Sequence, residues 1–217
     1  MKFKYPTLQV ALDFIDISDA LHIASIAWRN GVTWLEIGTP LIKSKGVDVI
    51  RVFRERFRDA VLIADMKCMD AGGVEVSLAA DAGADIVTVL GVAHDSTILE
   101  ALDSASQRDV KIMVDLINVS NPIERAQEIE KLGVDFICLH TGVDVQKRRG
   151  LTVMEEFLSV LLKVKRSIRI PVAVAGGINL SNAKMMIDAG AQILIIGSAI
   201  TKSDNPEFIV RKFMELI

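Results

Sequence analysis

The stretch VLIADMKCMDAGGVEVSLAADAGADIVTV, residues 61–89, contains one complete unit of the pattern that decides the fold. It begins with the apolar run Val61–Asp65 and ends with a second run, Ile86–Val89. The segment between them is long enough for one helix and two short loops. Short apolar runs joined by helical segments are typical of parallel strands that helices bury on both faces. The stretch therefore predicts a βαβ unit.

The same kind of run recurs along the whole chain. We count eight runs: Leu8–Asp13, Thr33–Ile37, Val61–Asp65, Ile86–Val89, Lys111–Asp115, Phe136–His140, Val172–Ala175 and Ile193–Ile196. Eight strand–helix units in 217 residues predict a single (β/α)8 TIM barrel over residues 1–217, since an open doubly wound sheet more often has fewer strands. No GxGxxG motif follows the first run, which argues against a dinucleotide site.

Small residues mark the predicted ends of the helices. Ser18, Asp95 and Ser181 each precede an amphipathic segment, and we expect them to be helix N-caps. A glycine stands shortly before the next apolar run in four units, which is the common position for ending a helix. These glycines are Gly31, Gly83, Gly133 and Gly190.

Composition excludes several classes of function. A net charge of −3 without a basic stripe argues against nucleic acid and against a membrane surface as partners. The mean hydropathy is +0.38, but no apolar run reaches the ~18 residues of a membrane span, and residues 1–6 do not resemble a signal peptide. Cys68 and Cys138 lack metal-site or disulfide spacing. We therefore expect a cytoplasmic protein whose partners are small molecules or copies of itself.

Polar residues end five of the eight apolar runs. In a barrel, the carboxyl ends of the strands meet at one mouth, so these side chains are candidates for chemistry. One such carboxylate alone could simply cap a helix, but repetition over five strands indicates a site. The candidates are Asp13, Glu36, Asp65 with Lys67, Asp115, and His140.

The segment 65–70, DMKCMD, contains the highest density of charge. Side chains two apart on a strand point the same way, so Asp65 and Lys67 should share a face. If that face lies inside the barrel, the two must pair with each other, with a metal or with a substrate. Glu36 and Asp65 offer the oxygen ligands that Mg²⁺ prefers. Asp70 lies beyond the strand and could cap the helix that begins near Ala71.

Two loops near the end of the chain are rich in glycine. Gly176 and Gly177 follow the seventh run, and Gly197 and Ser198 follow the eighth. Backbone N–H groups in such loops bind phosphate in many barrels, although glycine also permits tight turns without any ligand. His140 is either a proton-transfer group or a hydrogen-bonded structural residue.

Taken together, the motifs resemble those of the orotidine-monophosphate decarboxylase suprafamily and, within it, most closely the 3-hexulose-6-phosphate synthase family. The resemblance covers nearly the whole chain. The matching segments are LQVALD (8–13), EIGTP (36–40), DMKCMDAG (65–72), TVLG (88–91), VDLINV (114–119), HTGVD (140–144), AGGI (175–178) and GSAIT (197–201).

The resemblance implies a barrel of the ribulose-phosphate-binding type with a metal site. Mg²⁺ would be held by Glu36 and Asp65, with Asp13 and Lys67 beside it. Asp70 would reach into the neighbouring subunit's site in a homodimer.

The resemblance also implies a reaction, the reversible aldol condensation of D-ribulose 5-phosphate with formaldehyde. His140 would be the proton-transfer base. The phosphate would lie against Gly176, Gly177, Gly197 and Ser198, although many relatives have a second glycine where Ser198 stands.

Three other interpretations remain open at this point. In the 3-keto-L-gulonate 6-phosphate decarboxylase family, arginines stand where this chain has Val143 and Ser198. Orotidine-monophosphate decarboxylase needs a lysine where Glu36 stands. A barrel that binds a phosphosugar without catalysis is the third alternative, because a fold does not dictate its function.

Overall fold

The computed structural model describes residues 3–149 and 152–217. Eight parallel strands follow one another in chain order around a closed barrel, and the last pairs with the first. The strands are β1 (Thr7–Leu12), β2 (Trp34–Ile37), β3 (Val61–Cys68), β4 (Ile86–Leu90), β5 (Lys111–Asp115), β6 (Phe136–His140), β7 (Val172–Ala175) and β8 (Ile193–Ile196). The predicted (β/α)8 barrel is confirmed.

Strand bounds agree with the predictions for β5 to β8. They differ by one residue at both ends of β1 and at one end of β2 and of β4. The larger difference is in β3, which continues to Cys68 instead of ending at Asp65. Ala64 pairs with Val87, whereas the next pair joins Cys68 to Val89, so β3 bulges between them. The apolar pattern predicted an early end because the bulge carries charged residues.

Helices surround the barrel and connect the strands. They are α1 (Ile17–Arg29), α2 (Thr39–Lys45), α3 (Asp48–Arg56), α4 (Gly72–Asp81), α5 (Asp95–Ser106), α6 (Pro122–Leu132), α7 (Val143–Arg149), α8 (Thr152–Ser167), α9 (Ala183–Asp188), α10 (Ser198–Thr201) and α11 (Pro206–Met214). Within the described residues, no helix combines the length and the apolar character needed to cross a membrane.

The three predicted N-caps were each wrong by one or two residues. The cap of α1 is Asp16 rather than Ser18, because the Asp16 carboxylate accepts from the Ser18 backbone N–H at 2.7 Å. The cap of α5 is His94 rather than Asp95, and its Nδ1 lies 3.2 Å from the Ser96 backbone nitrogen.

At α9 the cap is Asn182 rather than Ser181, and its side chain makes no capping hydrogen bond. The Asn182 amide oxygen instead accepts from the Asn179 backbone N–H at 2.8 Å. The Asn182 side chain therefore stabilises the turn that precedes α9 and not the first turn of the helix.

The four predicted helix-ending glycines are confirmed. Gly31, Gly83, Gly133 and Gly190 have φ angles of +88°, +106°, +96° and +102°. These values lie in the left-handed region, which glycine enters without the steric cost of a Cβ atom. Each helix can therefore turn directly into the next strand.

The interior of the barrel changes character along its axis. At the amino ends of the strands, Trp34 and Phe136 pack edge to face with ring centroids 5.9 Å apart. The Phe3 ring covers them, 4.9 Å from Trp34. Near the other end the interior is polar, and Gln9, Glu36 and the acids of β3 and β5 lie there. The chemistry of the barrel is thus confined to its carboxyl end.

Candidate active site

A cavity of about 590 Å³ opens at the carboxyl ends of the strands. It brings together Asp115 and nine of the ten residues that were predicted to have a role in the site. The nine are Asp13, Glu36, Asp65, Lys67, His140, Gly176, Gly177, Gly197 and Ser198. The tenth, Asp70, is exposed and does not line the cavity of its own chain.

Lys67 is held against Asp65, as the shared-face argument predicted. Its Nζ lies 2.6 Å from Oδ2 and 2.8 Å from Oδ1 of Asp65. The backbone conformation differs from the regular strand that was predicted, because Lys67 has a φ of +50° inside the β3 bulge. Its N–H donates to the Thr88 hydroxyl at 3.0 Å, which fixes this conformation. The bulge therefore aims the lysine at the acids.

Two threonines hold the Asp65 carboxylate from either side. The Thr39 hydroxyl lies 2.8 Å from Oδ2, and the Thr88 hydroxyl lies 2.9 Å from Oδ1. Neither threonine was predicted as a site residue. Thr88 could have been, because it is a polar residue inside the apolar run of β4. Buried carboxylates keep their charge when donors surround them.

A second buried acid, Asp115, joins His140 to Lys67. Its Oδ2 lies 2.8 Å from His140 Nδ1 and 3.4 Å from Lys67 Nζ. Its Oδ1 accepts from the Ile117 N–H at 2.9 Å. Burial opposes the charge, but the hydrogen bond and positive charge of His140, with Lys67, hold the pKa of Asp115 below its ordinary value. Sequence reasoning placed Asp115 at the mouth without a role.

The pairing with Asp115 decides which nitrogen of His140 can act. An ionised carboxylate only accepts hydrogen bonds, so Nδ1 must carry a proton. In the neutral ring, Nε2 is then the unprotonated nitrogen. His140 lines the cavity, and Nε2 is the atom that can take a proton from a ligand. This geometry favours the proton-transfer interpretation over a purely structural one.

The remaining acids are crowded. Burial, followed by repulsion from Asp65 and Asp13, raises the pKa of Glu36 well above its ordinary value. Burial and Asp65 also raise the pKa of Asp13. Four carboxylates thus face the side of the cavity at which Lys67 and His140 lie. A hard divalent cation would relieve this imbalance, and carboxylate oxygens are suitable ligands for it.

One group of three donor residues in the described part of the chain has the spacing of metal ligands, and it does not include Glu36 or Asp65. Donor atoms of Asp115, Cys138 and His140 all lie within 4.8 Å of one another. Burial, followed by repulsion from Asp115, raises the pKa of Cys138 well above its usual range, so the thiol stays protonated. The Nδ1 atom of His140 is already engaged by Asp115 at 2.8 Å. The Glu36 and Asp65 side therefore fits a cation better.

The glycine loops form the opposite wall of the cavity. Gly176 and Gly177 have φ angles of +96° and +72°, and a Cβ on Gly176 would come within 2.1 Å of the Thr141 carbonyl oxygen. Gln146 braces this loop by donating to the same oxygen at 2.6 Å. Gly197 precedes the short helix α10. Only glycine at position 176 permits this close approach to Thr141.

Two lysines that sequence reasoning missed also line this wall. Lys147 is on α7, and Lys202 follows α10. Both are exposed, so their ammonium groups can move toward a ligand at the glycine loops. Lys202 directly follows the predicted phosphate-binding segment 197–201, which was an available signal, whereas Lys147 is distant in sequence from the predicted glycines.

Comparison with known proteins identifies the family. A model of the orotidine 5'-phosphate decarboxylase / HUMPS family matches residues 6–213. The chain belongs to this family. Within the orotidine 5'-phosphate decarboxylase / HUMPS family, the chain is 38% identical to 3-hexulose-6-phosphate synthase of Bacillus subtilis (strain 168), over 97% of this chain and 98% of that protein.

Solved structures of family members have the same architecture. A crystal structure of 3-hexulose-6-phosphate synthase is 37% identical with a TM-score of 0.91, over 97% of this chain and 99% of that one. A crystal structure of KGPDC from Streptococcus mutans is 28% identical with a TM-score of 0.90, over 98% and 97% of the two chains. The predicted resemblance to the 3-hexulose-6-phosphate synthase family is confirmed.

Asp70 does not cap helix α4. The N-cap is Ala71, in a left-handed conformation and without a side-chain hydrogen bond. The family motif Asp65-x-Lys67-x-x-Asp70 thus divides into two inward side chains and one exposed side chain. The prediction that Asp70 could cap this helix is wrong. A role for Asp70 in the neighbouring subunit's site remains a proposal.

Proposed function

We propose that this family member is a 3-hexulose-6-phosphate synthase, which condenses D-ribulose 5-phosphate with formaldehyde to D-arabino-hex-3-ulose 6-phosphate in a reversible aldol reaction. The observation that carries the proposal is the position of Lys67, whose Nζ lies between Asp65 at 2.6 Å and Asp115 at 3.4 Å. An ammonium fixed in this way is aimed at negative charge that develops on a bound sugar.

The residues of this chain can carry out each proton transfer. His140 Nε2 takes a proton from C1 of ribulose 5-phosphate, and Asp115 stabilises the imidazolium that results. The electron pair left behind spreads onto the carbonyl oxygen at C2, where Lys67 stabilises the enediolate. C1 then attacks the carbon of formaldehyde. The aldehyde oxygen becomes an alkoxide and takes the proton back from His140.

Glu36 and Asp65 would hold the Mg²⁺ ion, with Asp13 beside them. When bound, Mg²⁺ supplies Lewis-acid polarisation of the oxygens that gain charge. The crowding of these carboxylates supports the assignment, because burial and mutual repulsion raise the pKa values of Glu36 and Asp13. The donor set is all oxygen, as Mg²⁺ requires.

The phosphate of the substrate would lie at the glycine loops. Their backbone N–H groups can approach an anion closely because Gly176, Gly177 and Gly197 have no side chain. Lys147 and Lys202 at the same wall add positive charge. Ser198 replaces a glycine found in many relatives, but its backbone N–H remains available.

A homodimer would complete the site. Four apolar side chains around Asp70 are 44–63% exposed, on the β3–α4 loop, α4 and α5. They are Met69, Val74, Leu78 and Leu99. Burial of this patch against a second copy would remove apolar surface from water. The same contact would carry the exposed Asp70 carboxylate toward the neighbouring cavity.

Phosphorylated substrates and two free thiols support a cytoplasmic location.

Val143 and Ser198 separate this proposal from the decarboxylase alternative. Both line the cavity, so neither position offers a guanidinium to a substrate carboxylate. This favours an aldehyde as the second reactant over an acidic sugar.

The deciding experiment measures hexulose phosphate formed from ribulose 5-phosphate and formaldehyde, with Mg²⁺ and then with chelator. Release of CO₂ from 3-keto-L-gulonate 6-phosphate is measured in parallel. We expect metal-dependent hexulose phosphate and little CO₂. Dominant CO₂ release would establish the decarboxylase instead. No product in either assay would favour a phosphosugar-binding barrel without catalysis.

A further inference from the structure

Gln9 is a polar residue in the apolar strand β1, and it is fully buried. Gln9 and Ala11 lie on the same face of β1, and Asp13 lies just past the end of the strand. All three line the cavity. Gln9 is the furthest of them from the carboxyl end of the strand. Strand pairing places Ala11 beside Glu36, so Gln9 lies two residues deeper than the strand neighbour of Glu36. Its side chain nevertheless reaches Glu36, and Nε2 lies 2.6 Å from Oε2.

Among the described residues, Gln9 makes the one side-chain hydrogen bond to Glu36. The hydroxyls of Thr39 and Thr88, the nearby donors, are both committed to Asp65. Lys67 also bonds Asp65 and Asp115 rather than Glu36. The orientation of Glu36 therefore depends on Gln9.

The amide of Gln9 satisfies only one of its two ends. The NH₂ group faces Glu36, and the carbonyl faces away from it. Among the described residues, Oε1 of Gln9 is the one buried side-chain polar atom without a hydrogen-bond partner. A buried acceptor without a partner destabilises the folded state. Gln9 therefore supplies the buried Glu36 with a donor while its own acceptor remains without a partner.

We propose that Gln9 is a positioning residue for the cation site. Its Nε2 donates a hydrogen bond to Oε2 of Glu36, so that Glu36 presents one oxygen to the metal. A single oxygen from each carboxylate suits the tight octahedral geometry of Mg²⁺. Partners that orient a metal ligand often change metal affinity by about 10- to 100-fold when they are removed. The inference rests on the proposed function, because it assumes that Glu36 binds the metal.

The test measures binding of Mn²⁺, used as a paramagnetic probe, by electron paramagnetic resonance in the absence of substrate. Gln9→Met keeps the length of the side chain and removes the donor. We expect its Kd for Mn²⁺ to rise about tenfold. Its Tm in chelator should fall, because the buried Glu36 loses its hydrogen-bond donor. Gln9→Leu provides a second apolar variant if Gln9→Met does not fold.

Ile63→Val is the matched control. Ile63 is fully buried in the barrel interior and pairs with Glu36 in the β2–β3 register, but it has no polar contact to lose. We expect its Tm to fall slightly and its Kd for Mn²⁺ to stay within about twofold of the wild type.

Each other outcome decides the matter. If the apolar Gln9 variants bind Mn²⁺ as the wild type does, the inference is wrong and the proposed function stands. The inference is also wrong if Ile63→Val raises the Kd for Mn²⁺ as much as the Gln9 variants do, because any loss of packing in the barrel would then weaken the site. If the wild type binds no Mn²⁺ while still forming hexulose phosphate, the proposed metal site fails, and the role of Gln9 with it.

Discussion

His140 Nδ1 lies 2.8 Å from Oδ2 of Asp115, and the same carboxylate oxygen lies 3.4 Å from Lys67 Nζ. One buried acid thus connects the proposed base with the ammonium that would stabilise the enediolate. The two groups are separated by 73 residues in the chain, from Lys67 to His140, but by a single side chain in space.

Replacing Asp115 should impair proton transfer rather than binding. In Asp115→Asn, the amide can donate to Nδ1 and thereby favour the wrong tautomer of His140. We expect kcat to fall about 10²- to 10⁴-fold with a small change in KM. Exchange of the C1 proton of ribulose 5-phosphate into D₂O, followed by NMR without formaldehyde, isolates this step.

Asp188→Asn, on the exposed face of α9, is the control and should exchange the proton at the wild-type rate. Wild-type exchange in Asp115→Asn would remove Asp115 from the mechanism.

Removing the Lys67 ammonium should abolish turnover while the barrel still folds. We expect Lys67→Ala to lose about 10³-fold or more in kcat, because the charge aimed at the enediolate is gone. Asp65 and Asp115 would lose a buried partner, so the free energy of unfolding should fall by about 2 kcal/mol. The cost stays below the ~3–5 kcal/mol of a fully buried pair because the Lys67 side chain is 26% exposed.

Circular dichroism and urea unfolding measure the second effect. Lys184→Ala removes an exposed ion pair with Asp188 and serves as the control. Turnover of Lys67→Ala near that of the control would refute the role given to Lys67.

The proposed dimer predicts complementation between two inactive variants. In a mixed dimer of Asp70→Ala and Lys67→Ala, one of the two sites combines an intact Lys67 with an intact Asp70 from the other chain. Random exchange of subunits should restore about a quarter of wild-type activity. The assay is hexulose phosphate formation after the two variants are unfolded together and refolded.

Each variant refolded alone is the control and should stay inactive. Mixed dimers that form, as judged by mass spectrometry, but remain inactive would place Asp70 in its own chain's site or outside catalysis.

Tyr5 provides a spectroscopic test at the closed end of the barrel, because the chain has a single tyrosine. Burial, then repulsion from Asp135, raises the pKa of Tyr5 to about 12. A pKa that is raised in the folded state gives stability that is present below about pH 10, the usual value, and lost as pH rises toward 12. Tyrosinate absorbance should therefore be absent at about pH 10.5 in the native protein and present in urea.

Tyr5→Phe removes this absorbance and provides the blank. A native titration midpoint near the usual value of about pH 10 would show that the phenol is solvated rather than buried.

The sequence by itself determined the architecture and most of the charged side chains that line the cavity. The bounds of β5 to β8 and the helix-ending glycines such as Gly83 were predictable because apolar runs and left-handed turns depend on residues close together in the chain. Asp13, Glu36, Asp65 and His140 were predictable because the carboxyl ends of barrel strands meet at one mouth.

Only the tertiary structure decided how these residues are connected. The hydrogen bond from Gln9 to Glu36 spans 27 residues, and that from His140 to Asp115 spans 25. Neither leaves a local pattern, because closure of the barrel alone brings the strands together. The left-handed backbone of Lys67 likewise follows from re-pairing of Cys68 with Val89, a contact between strands that no period-two pattern contains.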